Sequence, residues 1–346
     1  MRNHVLDAEK AVAAYMVIFL HLHFPGVTGE IFNAAARFAV PFFFMISGYF
    51  CWRKDGKAGE RLPGKIRHTF FLCVTSFGFY IVWQWIWHII EGKSPVLWFL
   101  EIFEKENIRN FLYYNNTTAV KWHLWFLPAL LYCYVLFWAA EKLHAQKLAE
   151  FLIPVLLICH FVMEEASVLT GTEYRVMEFR NYLYTGFPFF MSGFWIHRHQ
   201  EILKKYLKGR EIYSGIIMGL VLSVGEYFLL GQMELFTGSI ILTFSLFFLG
   251  IIKEGGKVPS FLSEVGVKYS FFIYLFHLAV SDVVKKAAVL AGVENNTVYL
   301  WLYPLLTAFL TTVLAVLLKR VQRSAVHRFY TEKQGESPVH KRKSVL

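Results

Sequence analysis

The chain has 346 residues, of which 56% are hydrophobic, 18% aromatic and only 17% charged, with a formal charge of +10 and a mean hydropathy of +0.43. Soluble domains carry about 25% charged residues, so this balance excludes an ordinary water-soluble enzyme and points to a protein solvated by a bilayer. The long apolar blocks lack two-residue alternation, which excludes a barrel of short strands and predicts spanning helices of about 20 residues. The basic excess is read as membrane orientation, with no nucleic-acid partner expected.

The first apolar block runs from Ala11 to Leu20, between Asp7-Ala8-Glu9-Lys10 and His21-Leu22-His23. In a helix Lys10 and His21 lie about 16 Å apart along the axis and, being close to three turns apart, leave the same face. The block therefore places a cation near one membrane face and a histidine deep in the bilayer. His23 lies about 200° around the helix from His21, which is not the i, i+4 arrangement of metal ligands, so no metal site is expected. Asp7, Glu9 and the missing small-residue cleavage site argue against a removable signal, and the first helix is expected to stay as an anchor.

Ten spans are predicted in all, at 8–25, 36–52, 69–90, 124–140, 150–164, 182–196, 212–230, 236–252, 269–291 and 298–318. Several are short for a 30 Å core and require tilt or local thinning. With this count, 25 basic residues fall at one membrane face, in Arg2, the even-numbered linkers and the tail. Six fall in the opposite loops: Lys93, Lys105, Arg109, Lys121, Arg175 and Arg180. By the positive-inside rule both termini are then cytoplasmic. The expected architecture is all-α, a ten-helix polytopic membrane domain over residues 1–320 and a basic, disordered cytoplasmic tail over 321–346. The expected location is a bacterial plasma membrane.

Two outer loops are long, 91–123 and Glu164 to Asn181. The first holds Asn115-Asn116-Thr117-Thr118, which has the form of a glycosylation sequon but is read as a polar turn. Cys51, Cys73, Cys133 and Cys159 form no CxxC pair and are read as small hydrophobes.

Ionisable residues inside spans are expensive and each is a site candidate. His21 is the strongest. Arg37 opens span two, within reach of His21 or His23, and is either an interfacial arginine or a group that stabilises an oxyanion or an anionic acceptor. Ser47-Gly48 reads as a close helix crossing. His277 and Glu226 are further mid-span candidates. His160 looks interfacial, and Asp282 with Lys285 and Lys286 looks like a salt-bridged helix end.

Four blocks in register carry a family resemblance: Lys10 with ten residues before His21; Val40-Pro41-Phe42-Phe43-Phe44-Met45-Ile46-Ser47-Gly48-Tyr49; His123-Leu124-Trp125-Phe126-Leu127; and Tyr269-Ser270-Phe271-Phe272-Ile273-Tyr274-Leu275-Phe276-His277. Together they resemble the acyltransferase 3 family, over nearly the whole chain. The resemblance implies a membrane O-acyltransferase that takes an acyl group, often acetyl, from cytoplasmic acyl-CoA to a hydroxyl of a saccharide or cell-envelope acceptor outside. It implies that His21 is catalytic and that position 10 belongs to an Arg-x10-His motif. Here that position is lysine, which keeps the charge but loses the planar fork.

A neutral imidazole at His21 suits general-base removal of the acceptor proton, and direct acyl capture by the ring is the alternative. Lys10 and the basic loop residues Arg53, Arg61, Lys65 and Arg67 are candidates for holding the phosphates of the donor, against ordinary positive-inside charge. Arg37, His123 and Trp125 are candidates for the acceptor side, against interfacial anchoring. No bound cofactor is expected, acyl-CoA entering as a substrate. The rival function is a transporter or flippase using the same buried charges as a substrate or proton path.

Overall fold

The computed structural model describes residues 3–54 and 58–335, so Arg2 and Lys57 and the end of the basic tail, 336–346, lie outside the described residues. Sixteen α-helices are found there and no strand. They are α1 (His4–His21), α2 (Gly26–Ala36), α3 (Ala39–Tyr49), α4 (Ala58–Ile90), α5 (Pro95–Ile102), α6 (Lys105–Tyr114), α7 (Phe126–Lys142) and α8 (Gln146–Met163). They continue as α9 (Glu165–Thr170), α10 (Val176–Phe179), α11 (Phe187–Tyr206), α12 (Gly209–Leu230), α13 (Thr237–Ile252), α14 (Ser260–Lys268), α15 (Ser270–Ala291) and α16 (Thr297–Gly335). A 3₁₀ turn, Trp122–Trp125, leads into α7, and a π-helical turn, Tyr182–Gly186, leads into α11.

Each of the ten expected spans falls on a helix, and α16 continues through Gly335 into the stretch expected to be tail. Six segments among the described residues are long and apolar enough to cross a membrane: Gly26–Tyr49, Gly59–Ile90, Trp122–Lys142, Gln146–Thr170, Gly209–Leu230 and Thr297–Ser324. The pair α14 and α15, bent by 77°, is a seventh if it forms one broken span. The others fall short for physical reasons. Helix α1 carries Asp7, Glu9 and Lys10 in its first two turns, α11 turns polar after Ile196, and α13 has only 16 residues.

The apolar parts of those three helices lie inside. Helix α1 packs against α2, α3, α13, α14, α15 and α16. Its N-terminus is fixed by Asn3, whose side chain accepts from the Leu6 amide at 2.9 Å and donates to the Gly250 carbonyl at 2.8 Å. Helices α3 and α11 cross so closely that a Cβ at Gly48 would collide with the Phe190 carbonyl, and one at Gly193 with the Met45 carbonyl. The Ser47-Gly48 pair is therefore a packing device, as its sequence implied. Phe42, Phe44, Phe137, Phe189 and Phe190 fill the core around that crossing, and Ala11, Ala14, Ile18 and Ile273 fill a second one around α1 and α15.

The outer helices are the reverse. Val82 on α4, Phe151 on α8, Leu229 on α12 and Phe309 on α16 are each at least 60% exposed. Apolar surface on this scale in a folded chain is what a lipid solvent requires. Among the described residues the cysteines are all free, and Cys51, Cys73 and Cys133 are buried as small apolar groups. Asn115 is fully buried in the left-handed conformation (φ 56°) and its Oδ1 accepts from the Tyr182 amide, so this stretch is a turn.

Candidate functional site

Helix α1 ends at His21 because the next residue, Leu22, turns extended. The histidine ring thereby emerges from the helix end onto the wall of a cavity of about 280 Å³. The cavity lies between the end of α1, the joint between α2 and α3, the Trp122–Trp125 turn, the π turn and the 231–236 loop. His21, Arg37, His123 and Trp125 all line it, so four expected site residues from three separate segments meet in one place.

Arg37 sits where α2 stops and α3 begins, which allows a buried guanidinium to face the cavity. Its Nε and Nη2 donate to Asn33 Oδ1 at 3.1 and 2.9 Å, and Nη1 donates to Glu234 Oε2 at 3.0 Å. A guanidinium has five N–H donors, so two remain for a ligand after these bonds. Arg180 donates to the same Glu234 oxygen at 3.2 Å, and its guanidinium lies 5.6 Å from the centre of the Trp125 ring. Burial alone would raise the Glu234 carboxyl, but the Arg37 and Arg180 guanidiniums outweigh it and hold the group below its ordinary value.

A second acid supports this wall. Glu164 accepts from His160 Nε2 at 2.8 Å, from the Leu235 amide at 3.1 Å and from the Glu234 amide. Its neighbour Glu165 accepts from the amide and hydroxyl of Thr237, at the start of α13. The two carboxylates thus pin the 231–236 loop and its glutamate against the cavity, where the N-terminus of α13 favours negative charge. His160, expected at the interface, is in fact 2% exposed, because its ring bridges Glu164 and Thr185.

Behind His21 is a group of rings. His21 stacks on His277 with centroids 5.3 Å apart and planes 14° apart, and meets Trp122 edge-on at 4.2 Å. His123 lies 5.2 Å from His277 and 4.9 Å from Tyr80. Among the described residues no group of His, Cys, Asp and Glu has the geometry to hold a metal.

The donor-side candidates are not gathered in this way. Lys10 is paired with Asp7 at 3.2 Å, within its own helix. Lys65 turns inward and lies 5.5 Å from the centre of the Tyr134 ring, whereas Arg61 and Arg67 are exposed on α4 and Arg53 is half-buried after α3. Glu226 accepts from the Gly238 amide at 3.0 Å, between α12 and α13 and away from the cavity. Asp282 does not pair with Lys285 or Lys286 as expected. It accepts instead from Lys121 at 2.9 Å and Trp83 Nε1 at 3.0 Å, because its face of α15 meets α4 and the outer loop.

Arg180, Glu234 and Glu164 escaped the sequence reading as site residues. The outer-loop position of Arg180 and the acidic pair Glu164-Glu165 were visible, but their common partner in the 231–236 loop is not a local feature.

No curated protein and no solved structure matches the chain. The family model described as an acyltransferase domain matches residues 3–320, which contain every cavity residue named above. A helical chain with several lipid-length segments, an imidazole on a cavity wall and a match of that extent belongs to the acyltransferase 3 family of membrane acyltransferases.

Proposed function

We propose that this protein is an O-acyltransferase that moves an acyl group, acetyl in the first instance, from cytoplasmic acyl-CoA to a hydroxyl of a saccharide or envelope acceptor outside a bacterial plasma membrane. In this reading ten helices span the bilayer with both termini cytoplasmic, and α1, α11 and α13 do so enclosed by longer neighbours. The observation that carries it is His21 on the wall of a cavity that also holds Arg37 and Arg180, in a chain of this family.

His21 is the general base. It takes the proton of the acceptor hydroxyl as that oxygen attacks the thioester carbon. The two unused N–H groups of Arg37 stabilise the charge that develops on the carbonyl oxygen. Trp125 and His123 form the acceptor wall, the ring stacking on a sugar face. Lys10 with Arg53, Arg61, Lys65 and Arg67 holds the donor phosphates on the cytoplasmic side.

The test is CoA release by purified protein in lipid discs, with labelled acetyl-CoA and a panel of saccharides. His21→Ala is expected to lower turnover at least about 100-fold. Full activity in that variant overturns the assignment of His21. Absence of CoA release with every acceptor, together with solute uptake by proteoliposomes, favours a transporter instead.

A further inference from the structure

We propose that the acceptor taken by this cavity is an anionic saccharide, one whose acylated unit carries a carboxylate or phosphate, and that Arg180 together with Arg37 selects it by that charge. The inference rests on the acyl-transfer reading of the cavity and names the class of its acceptor.

The charges on the cavity wall do not balance. Among the described residues that line it, Arg37 and Arg180 are the permanent cations and Glu234 is the only acid. Both guanidiniums donate to one and the same oxygen, Glu234 Oε2, at 3.0 and 3.2 Å. An arginine keeps its proton at every pH a protein meets, so the wall carries one positive charge more than it neutralises. Glu164 and Glu165 stand behind the wall and do not line the cavity. The first accepts from His160 and from the Glu234 and Leu235 amides, the second from Thr237. Water solvates a guanidinium but cancels none of its charge.

The excess is placed where it is costly. Arg37 is 5% exposed and the Arg180 side chain 21%. Two like charges that share one counter-charge away from bulk water repel each other more strongly than they would at the surface. One arginine suffices to pair with Glu234, and the second has no counter-charge of its own in the cavity. A substrate bearing an anionic group completes such a site.

The position of the excess assigns the anion to the acceptor. Arg180 follows α10 in the 164–181 connection and Glu234 lies in the 231–236 loop, which face the outside in the proposed orientation, whereas the acyl donor arrives from the cytoplasm. The Arg180 guanidinium lies over the Trp125 ring, so the cation and the aromatic acceptor wall form one surface. Both guanidinium charges also act on His21. A cavity of about 280 Å³ stands at the lower end of the range of about 300–1,000 Å³ for small-molecule sites. A single sugar unit therefore brings its hydroxyl and its anionic group into the cavity together.

The same excess bears on rate. When His21 takes the acceptor proton it becomes a third cation beside the two guanidiniums. A carboxylate or phosphate carried on the sugar supplies the missing counter-charge, so an anionic acceptor favours the proton transfer as well as its own binding.

The experiment uses matched probes, glucuronate against glucuronamide and glucose 6-phosphate against glucose, with wild type, Arg180→Gln and Glu234→Gln in lipid discs. The two substitutions change the charge of one wall in opposite directions: Arg180→Gln balances it and Glu234→Gln doubles the excess. Melting midpoints are followed against probe concentration, and CoA release from acetyl-CoA is followed with the same sugars as acceptors. In the wild type each anionic probe is expected to be favoured over its neutral partner about tenfold, in kcat/KM or in the concentration that gives half the midpoint shift. The preference is expected to fall within about threefold in Arg180→Gln and to grow at least about threefold in Glu234→Gln. A purely structural loss lowers both members of a pair alike and does not change direction between the two variants. Arg180→Lys keeps the charge and is expected to keep the preference.

Equal effects of anionic and neutral probes on the wild type, including none from either, overturn the inference, and so does a preference that survives in Arg180→Gln or is lost in Arg180→Lys. A preference that appears only with succinyl-CoA and neutral sugars moves the charge to the acyl group and overturns the assignment to the acceptor. Anion-dependent midpoint shifts without CoA release from any acceptor overturn acyl transfer and leave the anion site standing, whereas CoA release without a charge preference overturns the anion site alone.

Discussion

Replacing Glu234 by glutamine keeps the shape of the cavity wall and removes one charge between two guanidiniums. In the wild type a single carboxylate oxygen accepts from Arg37 at 3.0 Å and from Arg180 at 3.2 Å, and the side chain is 23% exposed. Hydrogen bonds to a charged group contribute about 1.5–3 kcal/mol each, against about 0.5–1.5 kcal/mol for the neutral bonds an amide oxygen keeps. Partial exposure discounts the difference, which leaves a destabilisation of about 1–3 kcal/mol for Glu234→Gln at neutral pH.

The pH dependence follows from the depressed carboxyl of Glu234, which burial opposes and the Arg37 and Arg180 charges impose. Its stabilising contribution is complete above the unfolded value of about 4.3 and is lost as pH falls from there through the lower folded value. Thermal unfolding in lipid discs between pH 7 and pH 3 measures both effects. The variant is expected to melt lower than wild type at pH 7, and the gap to close as the medium becomes acid. Equal midpoints at pH 7, or a gap that stays constant down to pH 3, refute the view that ionised Glu234 holds the two arginines.

Gly193→Ala is expected to cost about 1–3 kcal/mol or more by overpacking, because its Cβ meets the Met45 backbone rather than a movable side chain. The loss is read from the melting midpoint, and an unshifted midpoint refutes the close crossing of α3 and α11. Reductant is expected to leave the melting curve unchanged, since the thiols are free, and maleimide labelling of Cys51, Cys73 and Cys133 is expected to require unfolding. Rapid labelling of the native protein at those three positions refutes their burial.

The helical elements were readable along the chain because apolar length is a local property, and each expected span falls on a helix. His21 and Arg37 line one cavity as expected, but by another route: a helix not foreseen in the sequence, α2, fills the expected short loop, and Arg37 sits at its far end. Rotation about an axis was harder. Asp282 shares its helix with Lys285 and Lys286, yet its partner is Lys121, 161 residues away in sequence. His160 was placed by depth alone, and depth does not say whether a ring faces lipid or a buried Glu164. The bridge from Arg37 to Glu234 spans 197 residues and has no periodicity or spacing to announce it. Hydropathy also overcounts what can stand alone in lipid, because a helix wrapped by others needs neither the length nor the purity of one that is not.

That last property bears on how the protein is made. Helix α1 precedes α13 and α14 in the chain and carries Asp7, Glu9 and Lys10, each of which opposes entry of an isolated helix into hydrocarbon. The elements that enclose these residues come later in the chain: the Gly250 carbonyl accepts from the Asn3 amide, the bare Cα of Gly250 leaves room for the Glu9 carboxyl, and Gly266 lets α14 close over the Asp7 backbone. The surroundings of the segment that bears His21 are therefore drawn from chain as far as 245 residues beyond it, and α1 can be fully enclosed only once α13 and α14 have been made.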